Sequence, residues 1–156
     1  WNNIIKGLKE NYAHYDEAYI ITGPYIENDD FIKLKEVEHE VKGLHIIMYV
    51  NDMQKWMSSC DLFIGAAGSN MIGEVLAVNC NAILVPRQVR EVEQHIHSKI
   101  LADKGIVRMC ELEDVLNGKI GKVIYKGLTQ PINQKNDICM NGLSRYCDLI
   151  KKWYMR

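Results

Sequence analysis

The sequence lacks the features by which several large classes of protein are recognised. Its 156 residues include 19 basic and 20 acidic side chains, so no surplus of positive charge indicates a nucleic-acid partner. No apolar run approaches the roughly 20 residues of a membrane-spanning helix, and no charged-then-apolar leader opens the chain. There is also no internal repeat. We therefore expect a single soluble domain over residues 1–156, without a nucleic-acid partner or a membrane span.

Closely spaced metal ligands are missing too. The five cysteines never form a C-x-x-C pair and stand among apolar neighbours, as is typical of reduced core residues in a cytoplasmic protein; they are Cys60, Cys80, Cys110, Cys139 and Cys147. A zinc site needs clustered Cys or His ligands, and the pair Asp29-Asp30 is typical of a helix cap instead. We expect neither a metal nor another cofactor.

Short apolar strands alternate with helical patterns along most of the chain. Apolar runs predict strands at residues 18–22, 44–50, 61–64, 82–85 and 106–109. Spacing and caps predict helices at residues 1–8, from 28–30 to 43, at 53–57, 71–78, 93–104, from 111 to 116, and at 138–154 with an interruption near 141–142; residues 118–131 are ambiguous. Such strands lie in a parallel sheet covered on both faces. The predicted fold class is therefore α/β, a Rossmann-like three-layer sandwich with right-handed crossovers.

Ligands bind beyond the carboxyl ends of parallel strands, and among the loops at those ends the one after the third strand is the strongest candidate for a binding site. Its residues 65–68 are small enough to let a ligand approach the backbone. Ser69-Asn70 then starts a helix, whose unpaired N–H groups and positive dipole end suit a phosphate. Further along that helix, the Glu74 carboxylate can accept both hydroxyls of a ribose. A tight turn with Ser69 as N-cap and Glu74 complementing the dipole explains the same residues, since neither a P-loop nor a G-x-G-x-x-G motif is present.

The loop after the fourth strand offers further polar groups. Glu93 and Gln94 open a helix with planar groups suited to sugar hydroxyls, and Arg87 or Arg90 can meet a phosphate. A solvated charged loop is the alternative. His95 stands beside Gln94, but no histidine pairs with a serine or cysteine in a way that indicates a nucleophile, so we assign no catalytic residue.

The end of the second strand combines apolar residues with a helix cap. Val50 and Met53 flank Asn51-Asp52, where a base can bond to backbone groups. A cap next to core residues is the alternative reading of the same stretch.

In combination these loops resemble the carboxy-terminal, donor-binding domain of glycosyltransferase family 28. The resemblance covers residues 46–107 and consists of an ordered series of motifs: Asn51-Asp52-Met53, Cys60-Asp61-Leu62-Phe63-Ile64, Gly68 six positions before Glu74, Leu76-Ala77, Ala82-Ile83-Leu84-Val85-Pro86, Glu93-Gln94, Leu101-Ala102 and Lys104-Gly105. It implies a GT-B fold, in which two Rossmann-like halves face a cleft. This chain would be the nucleotide-sugar half of a larger two-domain enzyme, with a UDP-sugar as substrate.

The resemblance also implies residue roles. The position matched by Val50 holds the uracil, Gly68-Ser69-Asn70 faces the diphosphate, Glu74 binds the ribose, and Glu93-Gln94 reaches the sugar. No metal is implied, since a helix dipole offsets the charge of the leaving nucleotide. A family member has a first strand ahead of the helix that opens this chain, so the domain is expected to lack that strand. The catalytic base is expected in the missing amino-terminal half.

Two alternatives to a transferase stay open. The PseG-type and SpsG-type nucleotide-sugar hydrolases share the aspartate-methionine helix and the alanine-glycine-serine loop, and Asn141-Gly142 with Arg145 and Ile150 is similar to their carboxy-terminal pattern. Their Gly-to-Glu spacing is commonly one residue shorter, which favours the transferase. A non-catalytic, flavodoxin-like binding module is the second alternative, although the acidic cluster and lysine of receiver domains are absent from the strand ends.

Overall fold

The computed structural model describes residues 1–87, 92–132 and 137–154, and helices alternate with parallel strands along most of them. No helix in these ranges is long and apolar enough to cross a membrane. In chain order the elements are α1 (Asn2–Glu10), a 3₁₀ turn (Tyr12–His14), β1 (Ala18–Ile21), α2 (Asn28–Glu38), β2 (Leu44–Ile47), α3 (Met53–Ser59), β3 (Phe63–Ala66), α4 (Ser69–Val78), β4 (Ala82–Val85), α5 (Val92–Asp103), β5 (Arg108–Met109), α6 (Leu112–Leu116), α7 (Ile120–Thr129) and α8 (Gly142–Tyr154).

The strands form two parallel sheets, one of β1 and β2 and one in the order β3-β4-β5. One apolar cluster nevertheless joins Ile20 of the first sheet to Ile83 of the second. In the Rossmann strand order 3-2-1-4-5-6, the first strand lies between the second and the fourth. With β1 and β2 as the second and third strands and β3 as the fourth, that place falls between β1 and β3. The break in the sheet therefore agrees with a domain that lacks its first strand.

Helices cover both faces of the strands, as the predicted three-layer sandwich requires. Along β4, Ile83 packs into a cluster with α1, α2 and α7, whereas Ala82 and Leu84 pack into another with α3, α4 and α5. Since successive strand residues point to opposite faces, the two clusters lie on opposite sides of the sheet. The prediction of an α/β sandwich with a parallel sheet is confirmed.

Five strand boundaries differ from the prediction: β1 ends at Ile21 rather than at residue 22, β2 ends before residue 50, β3 starts after residue 61 and runs on past residue 64 to Ala66, and β5 begins at Arg108 rather than at residue 106. For two of them, neighbouring strands show why pairing begins or stops where it does. The third strand begins at Phe63 rather than at residue 61. Asn81 occupies the preceding position, where its Nδ2 donates to Asp61 O at 2.8 Å and its backbone O accepts from Phe63 N at 2.9 Å. The second strand ends at Ile47 rather than at residue 50, because its partner β1 ends at Ile21.

All six helices from α1 to α6 were predicted, but some of their caps and ends differ from the prediction. The N-cap of α2 is Glu27, with Asp29 and Asp30 in the first turn rather than capping it, and α2 ends before Gly43. The ambiguous segment 118–131 contains α7, which sequence analysis did not identify. Its Gly121 lowers helix propensity but lets α1 approach: a Cβ on Gly7 would lie 3.1 Å from the Gly121 Cα.

The cysteines are free, but the expectation that they all lie in the core was wrong. Cys110 is buried, Cys80 is half-buried, and the other three are exposed. Cys60 is the C-cap of α3, Cys139 lies in the irregular segment before α8, and Cys147 lies on α8 itself. Apolar neighbours in sequence do not reveal this exposure.

The outer edge of β2 is closed by a side chain. Ile46 N donates to Glu38 Oε1 at 2.8 Å, so this backbone group, which points away from β1, is satisfied without another strand. The side-chain hydrogen bond from Lys35, together with the bond from Ile46 N, holds the pKa of Glu38 below its ordinary value. The carboxylate therefore stays charged and keeps accepting at neutral pH.

A side chain at Gly43 should destabilise the domain. Its φ is +73°, and a Cβ there would lie 2.2 Å from Asp16 O. Gly43→Ala should lower the free energy of unfolding by at least about 1–3 kcal/mol, the usual range for a strained backbone position. Urea denaturation of the 156-residue chain measures the change.

Gly73→Ala is the matched control, because Gly73 lies inside α4 with open space around its Cα. It should be neutral or stabilise by about 0.5–1 kcal/mol. Equal stability of Gly43→Ala and the parent chain would show that the turn before β2 tolerates a side chain.

Candidate functional site

The strongest candidate site is the start of α4, immediately beyond β3. Ala67 N donates to Val85 O at 3.0 Å, which continues the ladder between β3 and β4 past the end of β3. Gly68 is then the N-cap residue, with φ −67° and ψ 152°, and the first intrahelical bond runs from Ile72 N to Gly68 O at 2.9 Å. The chain therefore passes from strand to helix within two residues.

The first turn of α4 presents backbone donors. The N–H groups of Ser69, Asn70 and Met71 precede the first intrahelical bond, and the N-cap residue, Gly68, has no side chain to cap them. Ser69 and Asn70 are exposed, and a Cβ built at Gly68 would meet no atom within 4 Å. Ser69 is not the N-cap, so the alternative reading that assigned it that role was wrong. The helix end is open to an anion.

Glu74 lies one turn behind Asn70 on the same face of α4, since residues four apart are stacked along a helix. It is half-buried, and within the described ranges no lysine, arginine or histidine forms an ion pair with it. Glu74 lies behind the first turn of α4, which contains no acidic residue. Because the charge of the helix dipole acts within the first turn, the structure gives little support to the alternative interpretation that Glu74 complements the dipole. A half-buried carboxylate here is suited to accepting ligand hydroxyls.

Residues 86–87, which follow β4, lie beside the start of α4, because β3 and β4 are neighbours that end together at Ala66 and Val85. Arg87 N donates to Gln94 Oε1 at 3.1 Å, which ties Arg87 to the first turn of α5. Arg87 is exposed. Arg90, the alternative phosphate ligand, lies outside the described residues.

The orientation of α5 separates its polar side chains. His95 Nδ1 lies 3.5 Å from Glu111 Oε2, just beyond the outer strand β5. Glu93 and His97 share the opposite flank, with 3.7 Å between Oε1 and Nδ1, because successive helical residues are about 100° apart. His95 therefore lies on the flank of α5 nearer to β5, and Glu93, whose side chain is largely exposed, lies on the flank away from it. Sequence analysis did not predict the contact between Glu93 and His97. Their separation by four residues, which places two side chains on the same face of a helix, was the pattern that could have indicated it.

The loop after β2 reaches the same end of the sheet. Asp52 caps α3 by accepting from Lys55 N at 3.2 Å, as predicted. The side-chain hydrogen bond from Lys55, followed by this backbone bond, lowers the pKa of Asp52. Met53 packs on the same apolar cluster as Met71 of α4, and Val50, which precedes α3, is half-buried. Met53 thus also serves the core, as the alternative reading stated.

The nine predicted site residues lie in the connections that follow β2, β3 and β4 and in the helices that those connections lead into. Within residues 1–87, 92–132 and 137–154, no group of three or more His, Cys, Asp or Glu side chains could hold a metal ion. Backbone amides, hydroxyls, amides and carboxylates remain as binding groups. This set is suited to a ligand that carries both an anionic group and sugar hydroxyls.

Comparison with known families decides the classification. The glycosyltransferase family 28 C-terminal domain matches residues 2–152. The chain belongs to glycosyltransferase family 28. The match extends well beyond residues 46–107, which carried the resemblance in sequence, and it includes α7 and most of α8.

Curated family 28 relatives are considerably longer than this chain. A UDP-N-acetylglucosamine--N-acetylmuramyl-(pentapeptide) pyrophosphoryl-undecaprenol N-acetylglucosamine transferase of Alkaliphilus oremlandii is 36% identical over 84 residues, which are 51% of this chain and 23% of the relative. The protein of the same name from Caldicellulosiruptor saccharolyticus is 28% identical over 133 residues, 80% of this chain and 35% of the relative. The chain thus spans about a quarter to a third of the curated relatives it matches.

A solved structure shows the same family 28 fold. The crystal structure of Acinetobacter baumannii MurG matches with a TM-score of 0.68 and 20% identity, over 95% of this chain and 48% of that chain. The Rossmann-like architecture of a GT-B half is therefore confirmed. The roles of individual site residues stay predictions.

A capping side chain at Gly68 should affect the stability of the domain and its binding of an anion in opposite directions. Gly68→Asp should keep or raise the free energy of unfolding by a few tenths of a kcal/mol, because aspartate is a good N-cap and its side chain has room. The same carboxylate would occupy the exposed N–H groups and repel a diphosphate. We expect UDP binding to the full-length protein to weaken at least about tenfold, equal to roughly 1.4 kcal/mol, in calorimetry.

Gly68→Asn is the matched control, since it caps the helix without adding charge. It should weaken UDP binding less than Gly68→Asp does. If both variants bind UDP as tightly as the parent, the start of α4 is an ordinary helix end and not an anion site.

Proposed function

We propose that this chain is the donor-binding half of a GT-B glycosyltransferase, which transfers a hexosyl or N-acetylhexosaminyl group from a UDP-sugar to an acceptor. The observation that carries the proposal is the uncapped first turn of α4, with Glu74 one turn behind it, in a domain of family 28. The curated relatives are named as N-acetylglucosamine transferases, which supports an N-acetylglucosaminyl donor. The free cysteines support a cytoplasmic location.

The diphosphate is assigned to the start of α4. Three backbone N–H groups precede the first intrahelical bond there, and the helix end carries about half a positive charge. The Ser69 hydroxyl adds a donor, and Arg87 from the neighbouring loop adds a full positive charge. Such groups favour the leaving UDP more than the intact donor, because UDP gains one negative charge on the β-phosphate oxygen as the bond to the sugar breaks.

The two ends of the donor are assigned to the flanking loops. Backbone groups next to Val50 bind the uracil, and Met53 packs beneath it from the first turn of α3. On the other side, Glu93 and Gln94 bind the sugar hydroxyls. Gln94 is held by the bond from Arg87 N, so its amide is oriented before substrate arrives. The donor would then lie across the carboxyl ends of β2, β3 and β4.

The transfer needs groups that these residues do not supply. The bond between the anomeric carbon and the β-phosphate oxygen breaks, and its electron pair leaves with UDP. An acceptor hydroxyl forms the new bond and passes its proton to a base. We place the acceptor site and this base in the remaining part of the polypeptide, so residues 1–156 alone would bind the donor without transferring its sugar. The helix dipole and Arg87 provide the charge stabilisation without a metal in this scheme.

Glu74 provides the test of the ribose assignment. Glu74→Ala should weaken UDP binding by about 1.5–3 kcal/mol, or roughly 10–150-fold, because hydrogen bonds to a charged acceptor are lost. The parent full-length protein should also prefer UDP to 2′-deoxy-UDP, and Glu74→Ala should lose that preference. Isothermal titration calorimetry with both nucleotides gives the four affinities.

The control is Glu36→Ala, which removes an exposed carboxylate from α2 on the other layer of the domain. It should leave both affinities unchanged. A Glu74→Ala protein that still discriminates between the two nucleotides would remove Glu74 from the ribose site.

Substrate and reaction are tested on the full-length protein. A thermal-shift panel of UDP-, GDP- and dTDP-sugars should give the largest shift with a UDP-sugar. Incubation of that donor with and without acceptor extracts then separates the two enzyme classes. Sugar incorporated into an acceptor indicates the transferase, whereas free sugar released at the same rate without acceptor indicates the hydrolase alternative. No shift with any nucleotide-sugar would favour a binding module of another kind.

A further inference from the structure

Two of the free cysteines lie at the base of the unit formed by β3 and α4. Cys60 is the C-cap residue of α3, shortly before β3, and Cys80 lies between α4 and β4. Both stand near the amino ends of β3 and β4, whereas the candidate donor site lies beyond the carboxyl ends of the same strands. The two thiols are therefore a feature separate from the donor site.

The pairing of β3 with β4 brings the two cysteines together. The register of this pair, carried back two positions, sets Asp61 beside Cys80 and leaves Cys60 one residue away. Phe63 N donates to Asn81 O at 2.9 Å, and Asn81 Nδ2 donates to Asp61 O at 2.8 Å, so the two segments stay side by side ahead of the strands. Parallel strands lie about 4.8 Å apart and advance about 3.3 Å per residue. In that register the Cα atoms of the two cysteines are about 6 Å apart, within the range of about 4.4–6.8 Å that disulfides adopt.

The two sulfur atoms lie in the same part of the domain. Cys80 packs on the apolar cluster in which Met57 of α3 is buried. Cys60 is exposed, yet its Sγ donates to Met57 O at 3.5 Å, so the sulfur turns back onto α3. Burial raises the pKa of Cys80 to about 11, and the charge of the Cys60 thiolate adds to the rise. Such an effect of one thiol on the other requires that they lie close together.

We propose that Cys60 and Cys80 form a redox-sensitive pair that closes to a disulfide under oxidation by a peroxide and thereby stabilises the unit of β3 and α4. The Cys60 thiolate, which is the more accessible, attacks a peroxide oxygen; the O–O bond breaks, hydroxide leaves, and Cys60 becomes a sulfenic acid. The Cys80 thiolate then forms the S–S bond and displaces a second hydroxide. The two thiols give up two electrons and two protons in all, and hydrogen peroxide ends as two molecules of water.

The disulfide would close a loop that contains all of β3 and α4. Closing such a loop restricts the unfolded chain, which stabilises the folded one. Burial also raises the pKa of Cys60, so both thiols are mainly protonated at neutral pH and resist brief or mild oxidation. Sustained exposure to peroxide is the condition under which the pair should close. The inference does not depend on the proposed donor site.

Peptide mapping of the full-length protein tests the pair. Trypsin cleaves after Lys55 and Arg87, so residues 56–87 form one peptide that contains Cys60, Cys80 and no other cysteine. After hydrogen peroxide treatment at about pH 8.5, where more thiolate is present, the peptide should lack two hydrogen atoms and resist iodoacetamide. Dithiothreitol should restore two alkylation sites. Cys60→Ser and Cys80→Ala should each prevent the change, whereas the control Cys147→Ser, on α8, should leave it intact.

Thermal unfolding and UDP binding separate the outcomes. The oxidised protein should melt about 5 °C or more above the reduced protein. It should bind UDP within about twofold of the reduced protein, because the cross-link lies at the far ends of the strands from the donor site. Two thiols still open to alkylation, a disulfide to a third cysteine, a sulfinic acid at Cys60, or an unchanged melting temperature would each overturn the proposal. Failure of the reduced protein to bind UDP would instead count against the proposed function.

Discussion

The pairing of β3 with β4 is the constraint on which the candidate site depends. The bond from Ala67 N to Val85 O is the last rung of this ladder, and it determines where α4 begins relative to the loop at Arg87. A shift of one residue in register would exchange the faces of Ile83 and Leu84, and each would leave its apolar cluster. The packing on both faces of the sheet thus holds the backbone donors of α4 next to Arg87, whose N–H group donates to Gln94.

The order of the fold could be predicted from sequence because the strands are short, uninterrupted apolar runs between recognisable turns. Residues 82–85 were predicted with their correct ends, since β4 has neighbours on both sides and stays paired along its whole length. The ends of β2 and β3 could not be predicted, because they depend on β1 and on the side chain of Asn81. The helix α7 was missed for a related reason, as its glycines reflect tertiary contacts and not local propensity: Gly121 packs on α1, and Gly127 packs on Leu62 and Ile83.

The candidate site was predictable where backbone chemistry defines it. The small residues 65–68 and the helix that follows indicate an exposed helix start in any parallel sheet, and the structure has one there. Which residue is the N-cap, how α5 is rotated and which flank Glu93 faces depend on contacts between distant segments, such as His95 with Glu111. The exposure of α8 could not be predicted either, since its amphipathic pattern fits a core helix of this domain equally well.

The break between the two sheets has a consequence for handling the domain by itself. Glu38 accepts a hydrogen bond from one N–H group on the outer edge of β2. Among the residues that the structure describes, no side chain does the same along the edges of β1 and β3 that face the gap between the sheets. Backbone groups there are ready to pair with any extended segment that arrives, including the same strands of another molecule. Preparations of the isolated domain are therefore expected to self-associate as they are concentrated, for a reason that lies in main-chain pairing and not in surface charge.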